Sequence, residues 1–311
     1  MKFTIFQASR NGPRPYNHDR VAYSYSKESL LMVLADGLGS NPHGGLAAKI
    51  AVKTLTDAFQ QTARPDIANP SKFLDDQIRQ VHSTIQRYAV ANELYELPRT
   101  TVVAAIVQHD WLHCVHAGDS RLYHFRDGGL LYRTVDHSKV QLMHDKGEIE
   151  AEEMVAHPER NKIYSCLGGD IPPRIEIMRK RILLGGDIVL LCSDGLWAMV
   201  NDREFCDTLE RENVTRSVPV LLNLAESRCS NGGDNMSAVA VNWGGHSGYP
   251  LSVSTVTMPM GLTTTIHNPV PQDASETLAT TGARLSEEDI DRAISEIQAA
   301  IQKNPNKPDG L

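Results

Sequence analysis

Apolar residues in this chain gather into short, nearly unbroken runs separated by Gly, Asp and Asn. Leu30–Ala35, Thr101–Val107, Leu112–His116, Arg121–Phe125, Ile188–Cys192 and Ser237–Trp243 have the length and composition of strands. Three or four such runs follow one another between Thr101 and Thr134 with tight connections, which predicts antiparallel hairpins and not βαβ units. Longer segments repeat apolar positions every three or four residues. Gly45–Gln60 carries Leu46, Ile50, Leu55 and Phe59; Ser71–Asn92 carries Phe73, Ile78, Val81, Ile85 and Tyr88; Val218–Cys229 is a third helical pattern. The class is α+β, with helices on both sides of antiparallel sheet, and residues 1–243 read as one domain.

The pattern breaks near residue 244. Residues 244–285 are rich in Ser, Thr, Pro and Gly and read as a mobile linker. Beyond it Ser286 caps an acidic first turn, and Ile290, Ile294, Ile297 and Ile301 recur at helical spacing, which predicts an amphipathic helix over 286–303. Two readings of this tail helix stand side by side: it packs back on its own domain, or it docks a partner.

Composition narrows the function classes. With 38 Asp+Glu against 31 Lys+Arg, the net charge of -7 argues against a general nucleic-acid binder. The longest apolar runs are far short of the ~20 residues that cross a bilayer, so no membrane association is expected, and the first residues do not resemble a secretion signal. Five cysteines without a C-x-x-C pair fit reduced, buried thiols in the cytoplasm and no zinc site. His109, His113 and His116 lack metal-ligand spacing, and Trp111, Trp197 and Trp243 read as packing residues.

Chemistry gathers instead on aspartates at strand ends, most of them beside glycine: Asp19 in R-P-Y-N-H-D, Asp36 in D-G-L-G, Asp119 in G-D-S-R, Asp194 in S-D-G and Asp234 in G-G-D-N. A single Asp-Gly is usually a turn. Five in this context predict carboxylates converging on one end of a sheet, where they repel one another unless cations lie between them. All-oxygen ligands select Mg²⁺ or Mn²⁺ over Zn²⁺. Two such ions about 3.5–4 Å apart can activate water against phosphorus, and the planar fork of Arg14 suits phosphate oxygens.

The ordered set G-x-R-x-x-N-x-D (Gly12–Asp19), D-G-L-G (Asp36–Gly39), T-T (Thr100–Thr101), G-D-S-R, D-H-S (Asp136–Ser138), H-P-x-R-N (His157–Asn161), L-G-G (Leu167–Gly169), S-D-G-L-W (Ser193–Trp197) and G-G-D-N-M (Gly232–Met236) resembles the metal-dependent serine/threonine protein phosphatases of the 2C type, the compact bacterial members above all. The resemblance implies a four-layer α-β-β-α sandwich with two Mn²⁺ or Mg²⁺ ions at one end. It implies that Asp36 bridges both ions, Gly37 offers its carbonyl, and Asp194 and Asp234 hold the second ion. Asp19 orients the attacking water, Arg14 binds the substrate phosphate, and 136–169 forms a flap beside the cleft. Phosphoproteins are the implied substrates and a Ser/Thr kinase the implied counterpart in signalling.

The chain also departs from that pattern. His18 stands where relatives carry Glu or Gln, and reads either as a solvent-facing residue or as a proton donor to the leaving oxygen. Leu38 leaves a His position of eukaryotic relatives vacant, and Ser40-Asn41 replace a Gly-His. Ala198 stands where relatives place an acid, so Asp119 is left as a weak third metal site at most. These departures keep open an alternative, a low-activity phosphatase-like sensor or scaffold that binds phosphoproteins.

Overall fold

A computed structural model describes residues 1–39, 44–154, 156–229, 233–244, 252–268 and, in the tail, 291, 292, 294–297 and 299. The strands are β1 (Lys2–Arg10), β2 (Asp19–Tyr25), β3 (Ser29–Leu38), β4 (Arg99–Thr100), β5 (Val102–Gln108), β6 (Trp111–Ala117), β7 (Arg121–Arg126), β8 (Gly129–Arg133), β9 (Glu176–Ile177), β10 (Arg181–Ile182), β11 (Ile188–Cys192), β12 (Met236–Trp243), β13 (Ser252–Ser254) and β14 (Thr264–His267). The helices are α1 (Gly44–Thr62), α2 (Pro70–Ala91), α3 (Lys139–Asp145), α4 (Ala151–Met154), α5 (Asp194–Trp197), α6 (Asp202–Arg211) and α7 (Val214–Arg228).

Two antiparallel sheets result. One runs β13-β1-β12-β11-β7-β8; the other runs β10-β6-β5-β3-β2-β14, with β4 paired to β3 and β9 to β6. The alternation of side chains along each inner strand explains why these strands read as continuous apolar runs. On β3, Leu30, Met32 and Leu34 enter the core between the sheets, while Leu31, Val33 and Ala35 face α1 and α2. On β12, Val239 and Val241 point between the sheets, and Met236, Ala238 and Ala240 face α5, α6 and α7. Three cores separated by two sheets give the four layers α-β-β-α.

Helix ends are set locally. Asn69 accepts a hydrogen bond from Lys72 N at 3.1 Å to start α2, with Pro70 in the first turn. Asn201 and Glu204 form a reciprocal capping box on α6.

The stretch expected to be one linker is corrected at two places. Residues 252–254 form β13 on β1, and residues 264–267 form β14 on β2. Thr255 holds the chain's first residue, whose amino group donates to its Oγ1 at 2.7 Å, and Thr265 bonds Ser24 Oγ at 2.7 Å and Gln60 Nε2. Ser and Thr side chains that look like linker composition are here the hydroxyls of edge strands. Residues 245–251 and 269–285 of that expectation lie outside the described residues, as do Ser40 and Asn41. Of the tail helix, the described residues are helical; Ile294 is wholly buried in the cluster formed by α1 and α2, and Asp291 lies 3.4 Å from Lys49. Among the described residues no helix is long and apolar enough to cross a membrane.

Replacing Ile294 by Ala should cost about 2–5 kcal/mol of the helix's attachment. Hydrogen exchange of the amides around 291–299 should then accelerate sharply; unchanged protection would show that this contact does not hold the tail.

Candidate active site

The ends of β2, β3, β6, β11 and β12 meet at one edge of the sandwich. The β2–β3 register sets Asp19 directly opposite Asp36. Asp119 follows β6, Asp194 opens α5 immediately after β11, and Asp234 precedes β12. The five predicted acids are therefore brought together, and each of Asp36 and Asp194 feels the charge of three or four of the others.

Close backbone approach makes this possible. Gly12 has φ +59°, and a Cβ there would meet the Asp234 carbonyl oxygen at 2.4 Å. A Cβ on Gly195 would meet the Asn235 carbonyl oxygen at 2.1 Å. Only glycine lets the Arg14 loop and the S-D-G turn close on the Asp234 turn.

Hydroxyl and amide groups that sequence reading left without roles fix the acids. Ser193 Oγ donates to Asp19 Oδ2 at 2.7 Å and accepts from Ser237 N at 3.0 Å, joining β2, β11 and β12. Thr101 Oγ1 accepts from Asp36 N at 3.2 Å and bonds Ser120 Oγ at 2.7 Å. Asn235 Nδ2 donates to the carbonyls of Asn11 and Tyr16, both at 2.9 Å, and its Oδ1 accepts from His18 N at 2.8 Å. It thereby clamps the loop that carries Arg14. Arg121 chelates Asp136 at 2.8 and 2.7 Å and lies 3.5 Å over the Trp197 ring, which ties the G-D-S-R turn to the start of the segment expected as a flap. The only signal for these residues was their place inside the quoted motifs.

Arg14 reaches the same site. Its Nε donates to Gly233 O and its Nη2 to Asp234 Oδ2, each at 3.0 Å. Ala198 ends α5, and Trp197 Nε1 donates to the Asp119 carbonyl at 2.9 Å. His18 is not solvent-facing. It is half-buried and stacked on Tyr16, its Nε2 has no partner, and burial, then Arg20, lowers its pKa.

Burial governs four of the acids, Asp19, Asp36, Asp119 and Asp194. It pushes Asp19 up to about 6 against the hydrogen bonds from Ser237 and Ser193, and Asp119 up to about 7 with Asp136 repelling it further. Asp36 and Asp194 are held well above the usual carboxylate range by burial, then by their acidic neighbours. Asp19 Oδ1 is buried with no donor. A hard-oxygen donor set with an orphaned acceptor and mutual repulsion fits divalent cations.

A second group of candidate ligands reads differently. His116, His137 and Glu176 bring ligand atoms within 4.8 Å of one another. The His137 Nδ1 accepts from Gly118 N at 3.2 Å, so its Nε2 bears the proton and faces Glu176 at 3.5 Å. His116 Nε2 in turn bonds the Val135 carbonyl at 2.9 Å. This is a hydrogen-bonded support under the Gly118–Asp119 turn.

Comparison with known proteins agrees with the motifs. The family model for protein phosphatase 2C matches residues 15–218. The serine/threonine phosphatase stp of Listeria welshimeri is 30% identical over 240 residues, covering 76% of this chain and 94% of that protein. The solved structure of the serine/threonine phosphatase Stp1 from Staphylococcus aureus superposes with TM-score 0.71 at 28% identity, covering 78% of this chain and 95% of the other. The catalytic domain of the serine/threonine protein phosphatase PstP, solved in complex with two manganese ions, gives TM-score 0.64 at 29% identity, covering 78% and 99%.

The raised acids set a pH dependence. The folded state holds protons on Asp19 and Asp119 that an unfolded Asp, with a pKa of about 3.9, releases, so the stability these two acids contribute is fully present below about pH 4 and is lost as pH rises through about 6 and 7. Calorimetry with chelator should give a melting temperature that declines over this range. Mn²⁺ should raise it far more at pH 7.5 than at pH 5. Asp194→Asn should raise the chelated protein's melting temperature at pH 7.5, by roughly 2–4 °C per kcal/mol of repulsion relieved. A chelated protein most stable above pH 7 would contradict this account. Motif order, fold and family model concur that the chain belongs to the protein phosphatase 2C family.

Proposed function

We propose that this chain is a metal-dependent protein phosphatase that hydrolyses phosphoserine and phosphothreonine in proteins. The observation that carries the reading is the convergence of Asp19, Asp36, Asp119, Asp194 and Asp234 on one sheet edge with Arg14 beside Asp234.

Asp36, the Gly37 carbonyl, Asp194 and Asp234 would hold two Mn²⁺ or Mg²⁺ ions, and Asp119 a weaker third, since Ala198 offers it no partner carboxylate. Bound there, the ions neutralise the carboxylates, polarise the phosphate and make water nucleophilic at neutral pH. The chain's own groups do the rest. Asp19, fixed through Oδ2 by Ser193, presents its unpartnered Oδ1 to the attacking water and orients it. Arg14 turns its guanidinium from Asp234 to the substrate phosphate, with Nε still anchored on Gly233. Its exchange costs little, because an exposed ion pair is worth about 0–1 kcal/mol.

The same reading assigns residues 1–243 as the catalytic unit and 136–169 as a flap flanking the cleft. It gives the tail to this domain and not to a partner, which the burial of Ile294 supports. Five unpaired cysteines support a reducing compartment, the cytoplasm, where a Ser/Thr kinase would supply the substrates.

Phosphate release from a phosphothreonine peptide should require Mn²⁺ or Mg²⁺ and stop with chelator. Asp36→Asn and Asp194→Asn should each lower kcat on the order of 10²–10³-fold, equivalent to several kcal/mol. Retained turnover in either variant would overturn the mechanism. Absence of metal-dependent turnover in folded wild type would favour the phosphoprotein-binding alternative.

Arg14→Ala should raise KM by about 10–100-fold, the worth of a charged hydrogen bond to phosphate, and Arg14→Lys should recover part of it. An unchanged KM would remove Arg14 from substrate binding.

A further inference from the structure

The opposite end of the sandwich carries the opposite charge. β6 starts at Trp111 and runs about 20 Å, by strand rise, before reaching the Gly118–Asp119 turn. Beside Trp111 lies an open cleft of about 390 Å³ lined by Arg179, Lys180 and Arg181, with His124 and Arg126 from the end of β7. In a chain of net charge -7, this is a concentrated basic surface.

The charges there are unequally matched. Asp187 is buried and already engaged: Arg126 chelates it at 2.8 and 2.7 Å, and His124 Nε2 contacts it at 2.8 Å. Among the described residues no carboxylate pairs with Arg179, Lys180 or Arg181. Aromatic faces hold two of these cations in place. Lys180 Nζ lies 4.4 Å over Trp111, and the Arg181 guanidinium lies 5.1 Å over Tyr132. Arg181 Nε is buried and meets no acceptor in the protein.

Three like charges around one concave surface repel, and a buried donor without an acceptor is unfavourable. One multivalent anion relieves both. A phosphoryl group, with up to two charges and three acceptor oxygens, matches three cations and a guanidinium fork better than a single carboxylate does. Side chains already fixed against aromatic rings lose less entropy on binding.

We propose that this cleft is a second, non-hydrolytic anion site that takes a phosphoryl group, presented by a phosphorylated protein segment or by a free phosphorylated small molecule. It shares no residue with the carboxylate centre, so it stands or falls separately from the proposed activity.

The test is calorimetric titration of the full chain in chelator with three probes: pyrophosphate, a phosphothreonine peptide and its unphosphorylated form. Arg179 and Lys180 are exposed, so Arg179→Glu/Lys180→Glu spares the core, and Lys180→Gln gives a milder step. Wild type and Arg14→Ala should bind a phosphorylated probe alike. The double variant should bind it at least tenfold more weakly, Lys180→Gln should fall between, and added salt should weaken all. Phosphopeptide binding tighter than pyrophosphate would identify a protein source; the reverse order would identify a small molecule. The proposal is overturned if neither phosphorylated probe binds wild type, if the double variant, shown folded by its melting curve, binds unchanged, if Arg14→Ala abolishes binding, or if the unphosphorylated peptide binds as well as the phosphorylated one.

Discussion

Carboxyl groups crowded together out of water are the constraint on which the rest of this structure depends. Pairing of β2 with β3 forces Asp19 against Asp36, and the turns after β6 and β11 and before β12 add three more acids to the same edge. No local preference favours this; the charges oppose it. The assembly is imposed from behind, by strands whose two faces are both buried in apolar cores. The hydroxyls of Ser193 and Thr101 and the amide of Asn235 then fix the geometry. A stable scaffold holding an unfavourable site is the usual arrangement where local rules are broken for function. Cation binding turns the same repulsion into attraction, so stability and activity share one electrostatic cause.

The inner strands were legible because double burial demands uninterrupted apolar residues. β3, β5, β11 and β12 could hardly be written otherwise. β1 and β2 were harder to see. Positions such as Gln7, Arg20 and Tyr23 are only partly buried, which dilutes the apolar run. β13 and β14 were invisible, because three or four Ser/Thr-rich residues carry no period and their partners lie some 240 residues away in sequence. Four of the acids were legible through the glycines beside them at strand ends, and Asp19 through the Gly12–Asp19 motif. Ser193 and Asn235 were not, because a polar residue beside an Asp and Gly turn has a sufficient local explanation, nor was Thr101 at a strand start, and the second partners of all three exist only after folding.

The two late strands also answer a problem of the sheets. Without β13 and β14, β1 and β2 would present free edges to solvent, on adjoining sides of the sandwich. Exposed edges invite pairing with other chains. Short strands of Ser and Thr cover them while offering little apolar surface of their own. The segment beyond residue 244 thus completes the sheets that position the acids, and its linker-like composition suits that task.

Asp234 and Asn235 join the two halves of the proposed chemistry. Asp234 belongs to the carboxylate cluster and also pairs with Arg14; the neighbouring Asn235 clamps the Asn11–His18 loop from which Arg14 projects. In the proposed reaction Arg14 would leave Asp234 for the phosphate, and its guanidinium is already aimed at the site because Nε stays on Gly233. A separate arginine on an independent loop would have no such link to the carboxylates. Linking both functions through adjacent residues of one turn would keep the phosphate-binding group and the carboxylates in one fixed relation.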